Sequence, residues 1–259
     1  MPMTATATAT SDRPPSKFLL LAEGRAIWEA GATLALWPLL QFAPRGDGHT
    51  VIVLPGLGAS DGSTEMLRKF LETRGYEVEG WGLGTNCGPR PGVEKGLLDL
   101  LRRLHESSGN RVSLVGWSLG GVFARMLASK SPESVRSVVT LGSPLHGSPK
   151  TTRAVKAYEL LSGRSAHDPR RDKWVRPVPQ VPATSIFSRS DGIVSWRSSF
   201  QEETPFTENI EVEASHLGLG VHPAVFYAVA DRLSQAEDAW APFAAPSGLR
   251  PFYPDPTRD

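Results

Sequence analysis

Arg111-Val112-Ser113-Leu114-Val115-Gly116-Trp117-Ser118-Leu119-Gly120-Gly121-Val122-Phe123-Ala124-Arg125-Met126-Leu127 decides the fold. It begins as a short apolar run with two valines and ends with Val122, Phe123, Met126 and Leu127 at helical spacing. Between them, Gly116-Trp117-Ser118-Leu119-Gly120 matches G-x-S-x-G, the spacing that sets a serine nucleophile at the tip of a sharp strand-to-helix turn. The backbone there is strained, and a side chain two residues before or after would collide with the neighbouring strand or helix. Glycine is therefore required at both places. A helix starting just past Ser118 also leaves free N–H groups and a positive dipole end beside it. The flanking strand and helix are the context that gives the five-residue pattern its meaning.

Working outward, Thr50-Val51-Ile52-Val53-Leu54 reads as a buried strand stopped by Pro55-Gly56-Leu57-Gly58. Residues 63–74 read as a helix with Met66, Leu67, Phe70 and Leu71 on one side, and 76–81 as a strand before a glycine-rich segment, 82–92. Residues 93–105 form an amphipathic helix through Val93, Leu97, Leu100, Leu101 and Leu104. Strands follow at 137–141, 183–188 and 210–214, and a closing helix at 224–236. Strands alternating with helices predict a mostly parallel sheet covered on both faces, with ligands bound at the carboxyl ends of the strands.

The alternation breaks at 145–182, where a helical patch (154–161) precedes a charged, proline-rich stretch through Arg170, Arg171, Asp172, Lys173 and Pro177. A connection of that length over the serine reads as a lid-like insertion. Residues 1–16 read as a disordered tail, 17–240 as one domain, and 241–259 as a loosely attached tail rich in Pro, Gly and Ser. Within the domain, 17–42 has a helical pattern, with Leu20, Ile27, Leu34, Leu36, Trp28 and Trp37. It reads as a helix packed on the domain; a peripheral membrane or partner contact is the alternative.

Composition narrows the function. A net charge of +1 argues against nucleic-acid binding driven by charge, and 40% apolar with 21% charged residues is ordinary for a globular chain. The single Cys87 excludes an internal disulfide and a cysteine-rich metal site, so no metal is expected. The N-terminus shows no basic start and no uninterrupted apolar core, which leads to the expectation of a cytoplasmic protein.

A serine nucleophile needs a base, and the base needs a third group to fix its tautomer. His216, in Ser215-His216-Leu217-Gly218, follows the 210–214 strand at its carboxyl end, the same edge as Ser118. His222 precedes Pro223 and reads as a cap or packing residue. Asp191 follows a strand and precedes Gly192; alone it would read as a turn former, but with Ser118 and His216 the chain order Ser, Asp, His favours the acid. For the oxyanion hole, the backbone N–H groups of Leu57 and Leu119 are expected. Trp117 and His146 are expected to line the substrate pocket.

With the elbow, the Pro-Gly turn, Ser188-Arg189-Ser190-Asp191-Gly192 and Ser215-His216-Leu217-Gly218 in place, the chain resembles bacterial α/β-hydrolases of the serine lipase/esterase type, from about Thr50 to Ala236. Gly80-Trp81-Gly82-Leu83-Gly84 is also similar to segments of such proteins. The resemblance implies the α/β-hydrolase fold and cofactor-free hydrolysis of carboxylic esters, with Ser118 as nucleophile, Asp191 as acid and His216 as base. It implies small ester or lipid-like substrates. Many relatives have His-Gly where this chain has Pro55-Gly56, which alters the turn's hydrogen bonding but not the main-chain donor. An acyltransferase, thioesterase or amidase using the same triad stays open, as does a non-catalytic binding scaffold.

Overall fold

Strands of consecutive apolar residues need cover on both faces. The computed structural model describes residues 13–168 and 180–258. One sheet holds β1 (Thr50–Leu54), β2 (Glu77–Gly80), β3 (Val112–Trp117), β4 (Val135–Leu141), β5 (Ala183–Phe187) and β6 (Thr207–Glu211). All neighbours run parallel in the order β2-β1-β3-β4-β5-β6. The direction of winding reverses between β1 and β3, so a crevice opens at their carboxyl ends. Leu54 and Gly116 are register partners at that point, which puts the Pro55 turn beside the elbow.

Besides a single helical turn at Trp196–Ser199, the α-helices among the described residues are α1 (Lys17–Leu21), α2 (Ala26–Leu40), α3 (Glu65–Thr73), α4 (Val93–Ser108), α5 (Leu119–Lys130), α6 (Val155–Ser162) and α7 (Pro223–Leu233). Alternate side chains of β1 enter two different cores. Val51 and Val53 pack with Phe70 of α3 and Phe226 of α7. Ile52 and Leu54 pack with Leu97 and Leu101 of α4 and Phe123 and Leu127 of α5.

Three segments depart from the sequence reading. β6 starts at Thr207, three residues before the expected 210–214, because its buried polar groups are paired rather than absent. Glu208 accepts from Arg232 at 2.7 Å and from the Thr184 hydroxyl at 2.9 Å, and Asn209 exchanges hydrogen bonds with the Gln201 backbone. Apolar Val212 and Ala214 are buried beyond the strand's end.

The 17–42 helix is split by a 3₁₀ turn, Ala22–Arg25, and α2 packs through Thr33, Trp37 and Leu40 while most of its other apolar residues face outward. Glu23 and Thr33 are buried, and Trp37 meets Phe70 edge-on. Ile27 and Trp28 are 78% and 81% exposed, and Phe18, Leu21, Leu34, Leu39 and Phe42 also face outward. Among the described residues no helix is long and apolar enough to cross a membrane.

The stretch from 241, read as loosely attached, lies against the domain. Tyr253 donates to the Ala224 carbonyl at 2.8 Å, its ring meets Phe243 at 4.8 Å, and Arg258 pairs with buried Glu211 at 2.7 Å. Residues 1–12 of the expected tail and 169–179 of the expected lid lie outside the described residues.

At the amino-terminal end of the sheet, the Ser113 hydroxyl is 2.8 Å from His49 Nε2, and His49 Nδ1 is 2.5 Å from Asp47 Oδ1. Ser113 is fully buried on β3. Burial pulls the His49 imidazole below its ordinary pKa despite the Asp47 charge. This line ties the start of β1 to β3.

Candidate active site

The elbow takes the shape its glycines allow. Ser118 sits at φ 53° and ψ −120°, on the left-handed side that residues with a Cβ avoid. A Cβ on Gly116 would run into the backbone of Gly120 and Gly121, and one on Gly120 into the Leu54 carbonyl of β1. Gly121 is equally tight against the Ser143 side chain, a constraint the five-residue pattern does not contain. The turn is pinned from both sides: Ser118 N–H donates to Leu141 at 2.8 Å, and Gly121 N–H donates to the Ser118 carbonyl at 3.0 Å.

Ser118 Oγ lies 3.0 Å from His216 Nε2, and His216 Nδ1 lies 2.6 Å from Asp191 Oδ2. The residues come from the carboxyl ends of β3, β5 and β6. Asp191 is buried, and its second oxygen accepts from the N–H groups of Ile193 at 2.8 Å and Val194 at 2.7 Å. Both carboxylate oxygens are thus occupied, and the group has one orientation. Burial of His216 disfavours its charged form, but the charge and hydrogen bond of Asp191, with the charge of Glu23, outweigh it and raise the pKa above the ordinary 6.5.

Leu57 and Leu119 line one cavity together with Ser118. Leu119 is the first residue of α5, so its N–H has no carbonyl within the helix to bind. The turn carrying Leu57 is stapled by buried Asn86, which the sequence reading passed over inside the glycine-rich segment. Its side-chain N–H donates to the Pro55 carbonyl at 2.8 Å, its backbone N–H to Ala59 at 2.7 Å, and its carbonyl accepts from Gly58 at 2.8 Å. Asn86 therefore supplies hydrogen bonds that hold the turn beginning at Pro55.

The cavity holds about 250 Å³ and is mostly apolar, with Leu57, Val122, Phe123, Val155, Tyr158 and Val194 among its walls. Half of its lining residues, from Pro149 to Asp168, belong to the described part of the 145–182 insertion. That insertion is rooted beside Asp191: Thr152 and Val194 form an antiparallel bridge, and Arg153 N–H donates to Ile193 at 2.8 Å.

Trp117 and His146, expected as pocket-lining, are not in the cavity wall. Trp117 lies beside the His216 ring, centroids 6.3 Å apart, and donates Nε1–H to the His216 carbonyl at 3.0 Å. His146 is tied through Nε2 to the Phe200 carbonyl. His222 caps α7, its Nδ1 accepting from Ala224 N–H.

Residues 30–161, half of the chain, match the family described as alpha/beta hydrolase fold. A triacylglycerol lipase of Burkholderia plantarii is 28% identical over 130 residues, covering 46% of this chain and 36% of the lipase. A pimeloyl-[acyl-carrier protein] methyl ester esterase of Aliivibrio fischeri is 24% identical over 126 residues, covering 47% of each. The match thus spans less than half the length of either curated relative. Among solved structures, lipase B of Aspergillus fumigatus superposes with a TM-score of 0.56 at 15% identity, over 74% of this chain and 54% of the lipase. At that identity the likeness is one of fold.

Proposed function

Since this chain belongs to the alpha/beta hydrolase fold family, we propose that it is a serine hydrolase cleaving carboxylic esters through an acyl-enzyme on Ser118. The observation that carries this reading is the hydrogen-bonded line Ser118–His216–Asp191, opening into an apolar cavity that Leu57 and Leu119 share. The two curated relatives, a lipase and a methyl ester esterase, point the same way.

Ser118 Oγ attacks the ester carbonyl while His216 Nε2 takes its proton. Asp191 holds the Nδ1–H tautomer and stabilises the imidazolium. The N–H groups of Leu57 and Leu119 receive the charge developing on the carbonyl oxygen. His216 then protonates the departing alcohol, and water, activated by the same nitrogen, releases the acid. The apolar wall suits an uncharged acyl group.

Fluorophosphonate labelling located by mass spectrometry, with turnover of p-nitrophenyl esters from short to long acyl chains, tests the reading. Label on Ser118 with ester turnover supports it. Label with no ester turnover would move the activity to another acyl acceptor or bond. No label would leave a binding scaffold.

The base needs Nε2 free of a proton, and its pKa is raised. The acid limb of kcat/KM is therefore expected above pH 6.5, with rate lost as pH falls through it. A limb centred below 6.5 would contradict the raised pKa of His216.

The outward apolar face of α1 and α2 is the surface this reading assigns to peripheral lipid contact. The protein is expected to co-sediment with phosphatidylcholine vesicles, and Trp28→Glu, at an exposed position, to weaken this. Equal sedimentation of the variant, or none by the wild type, would remove the assignment.

A further inference from the structure

The segment before the sheet grips both loops of the candidate site. Glu23 is buried in the 3₁₀ turn between α1 and α2. One carboxylate oxygen accepts from Gly192 N–H at 2.7 Å and His216 N–H at 2.9 Å, and the other accepts from Leu217 N–H at 2.9 Å. A single side chain thus joins the residue after Asp191 to His216 itself. Its neighbours reinforce the grip. Arg25 donates to the Ser190 hydroxyl at 2.7 Å and pairs with Glu29 at 3.1 Å, while Glu29 accepts from Ser215 N–H at 2.8 Å.

The glycines of the two loops carry the same message independently. Gly192 and Gly218 do not have the positive φ that would make glycine necessary for the turn itself. A Cβ on Gly192 would run into the Leu19 carbonyl, and one on Gly218 into the Glu29 carboxylate. Glycine follows the acid and the base because the N-terminal segment lies flush on both loops.

We propose that Glu23 is a positioning residue of the candidate site: its carboxylate, by binding the Gly192, His216 and Leu217 N–H groups, sets the acid loop and the base loop relative to each other. This rests on the reading of Ser118, Asp191 and His216 as the reacting groups. The distance from Asp191 to Nδ1 and the aim of Nε2 at Ser118 depend on how those loops sit, and a displacement of about 1 Å at such a site can cost ~10²-fold in rate. The charges around His216 are Asp191 on its ring, Glu23 at its backbone, and Glu29 and Arg25 on the adjoining Ser215 and Ser190. Removing the Glu23 charge takes away one of the influences that raise the His216 pKa.

Glu23→Gln keeps the shape and removes the charge. It is expected to lower kcat by about 10- to 100-fold with KM within about twofold, and to move the acid limb of kcat/KM to lower pH. The His216 ring, followed by NMR in wild type and variant, is expected to titrate lower in the variant. That reading needs no ester turnover, so it decides the role of Glu23 even if no ester is cleaved. Unchanged kcat together with an unchanged His216 titration overturns the proposal. If the variant does not fold, hydrogen exchange in the wild type decides instead. Slow exchange at the Gly192, His216 and Leu217 amides supports the clamp, and exchange at the rate of open loops removes it.

Discussion

Ser118→Ala is expected to abolish fluorophosphonate labelling and to lower ester turnover by on the order of 10⁵- to 10⁶-fold. The variant loses the attacking oxygen, and no other hydroxyl takes its place on His216 Nε2. The Leu57 and Leu119 N–H groups remain, so a residue of about 10³-fold over water is expected to survive. The strained turn is held by the Gly116 and Gly120 contacts and by the Ser118 backbone N–H, none of which involves the hydroxyl. Thermal melting should therefore shift little. Turnover retained above about one hundredth of wild type, in a folded variant, would move the nucleophile elsewhere.

Asp191→Asn should be nearly as severe, by about 10⁴-fold in kcat, through the tautomer rather than through missing atoms. One oxygen of Asp191 accepts from Ile193 and Val194 N–H groups, so the amide oxygen of the variant will take that side. Its NH₂ then faces His216 Nδ1 and needs an acceptor there. The ring proton is driven to Nε2, where it faces Ser118 and blocks the base. The variant is expected to fold, to label far more slowly, and to regain rate as pH rises. The histidine ring ¹⁵N shifts would read the tautomer directly; a proton remaining on Nδ1 would falsify the explanation.

Much of this architecture was legible because its signals are local. The elbow glycines exclude side chains within a few residues of Ser118, and the strand ends at Leu54 and Leu141 carry their own Pro and Gly stops. The order Ser118, Asp191, His216 follows from where successive strands end. What escaped depends on partners far along the chain. Glu23 meets Gly192 169 residues away and His216 193 residues away, and by itself it reads as an interruption of an apolar run. Asn86 looks like loop filler until its three bonds to the Pro55 turn are seen. The start of β6 escaped because Glu208 and Asn209 are buried with partners, which removes the alternation that marks a strand. Which side of α2 faces outward was not legible, because apolar spacing marks a helix without saying which side meets the protein.

The line of Asp47, His49 and Ser113 has a practical bearing. A geometric template built only on Ser–His–Asp separations would score this molecule twice, once at each end of the sheet. Ser113 lies within a strand, closed to solvent, and lacks the sharp strand-to-helix turn that presents Ser118. The stoichiometry of covalent capture should accordingly be one phosphonate per chain. Catalytic templates gain discrimination when they weigh the torsion of the serine and the room in front of it as heavily as the three separations.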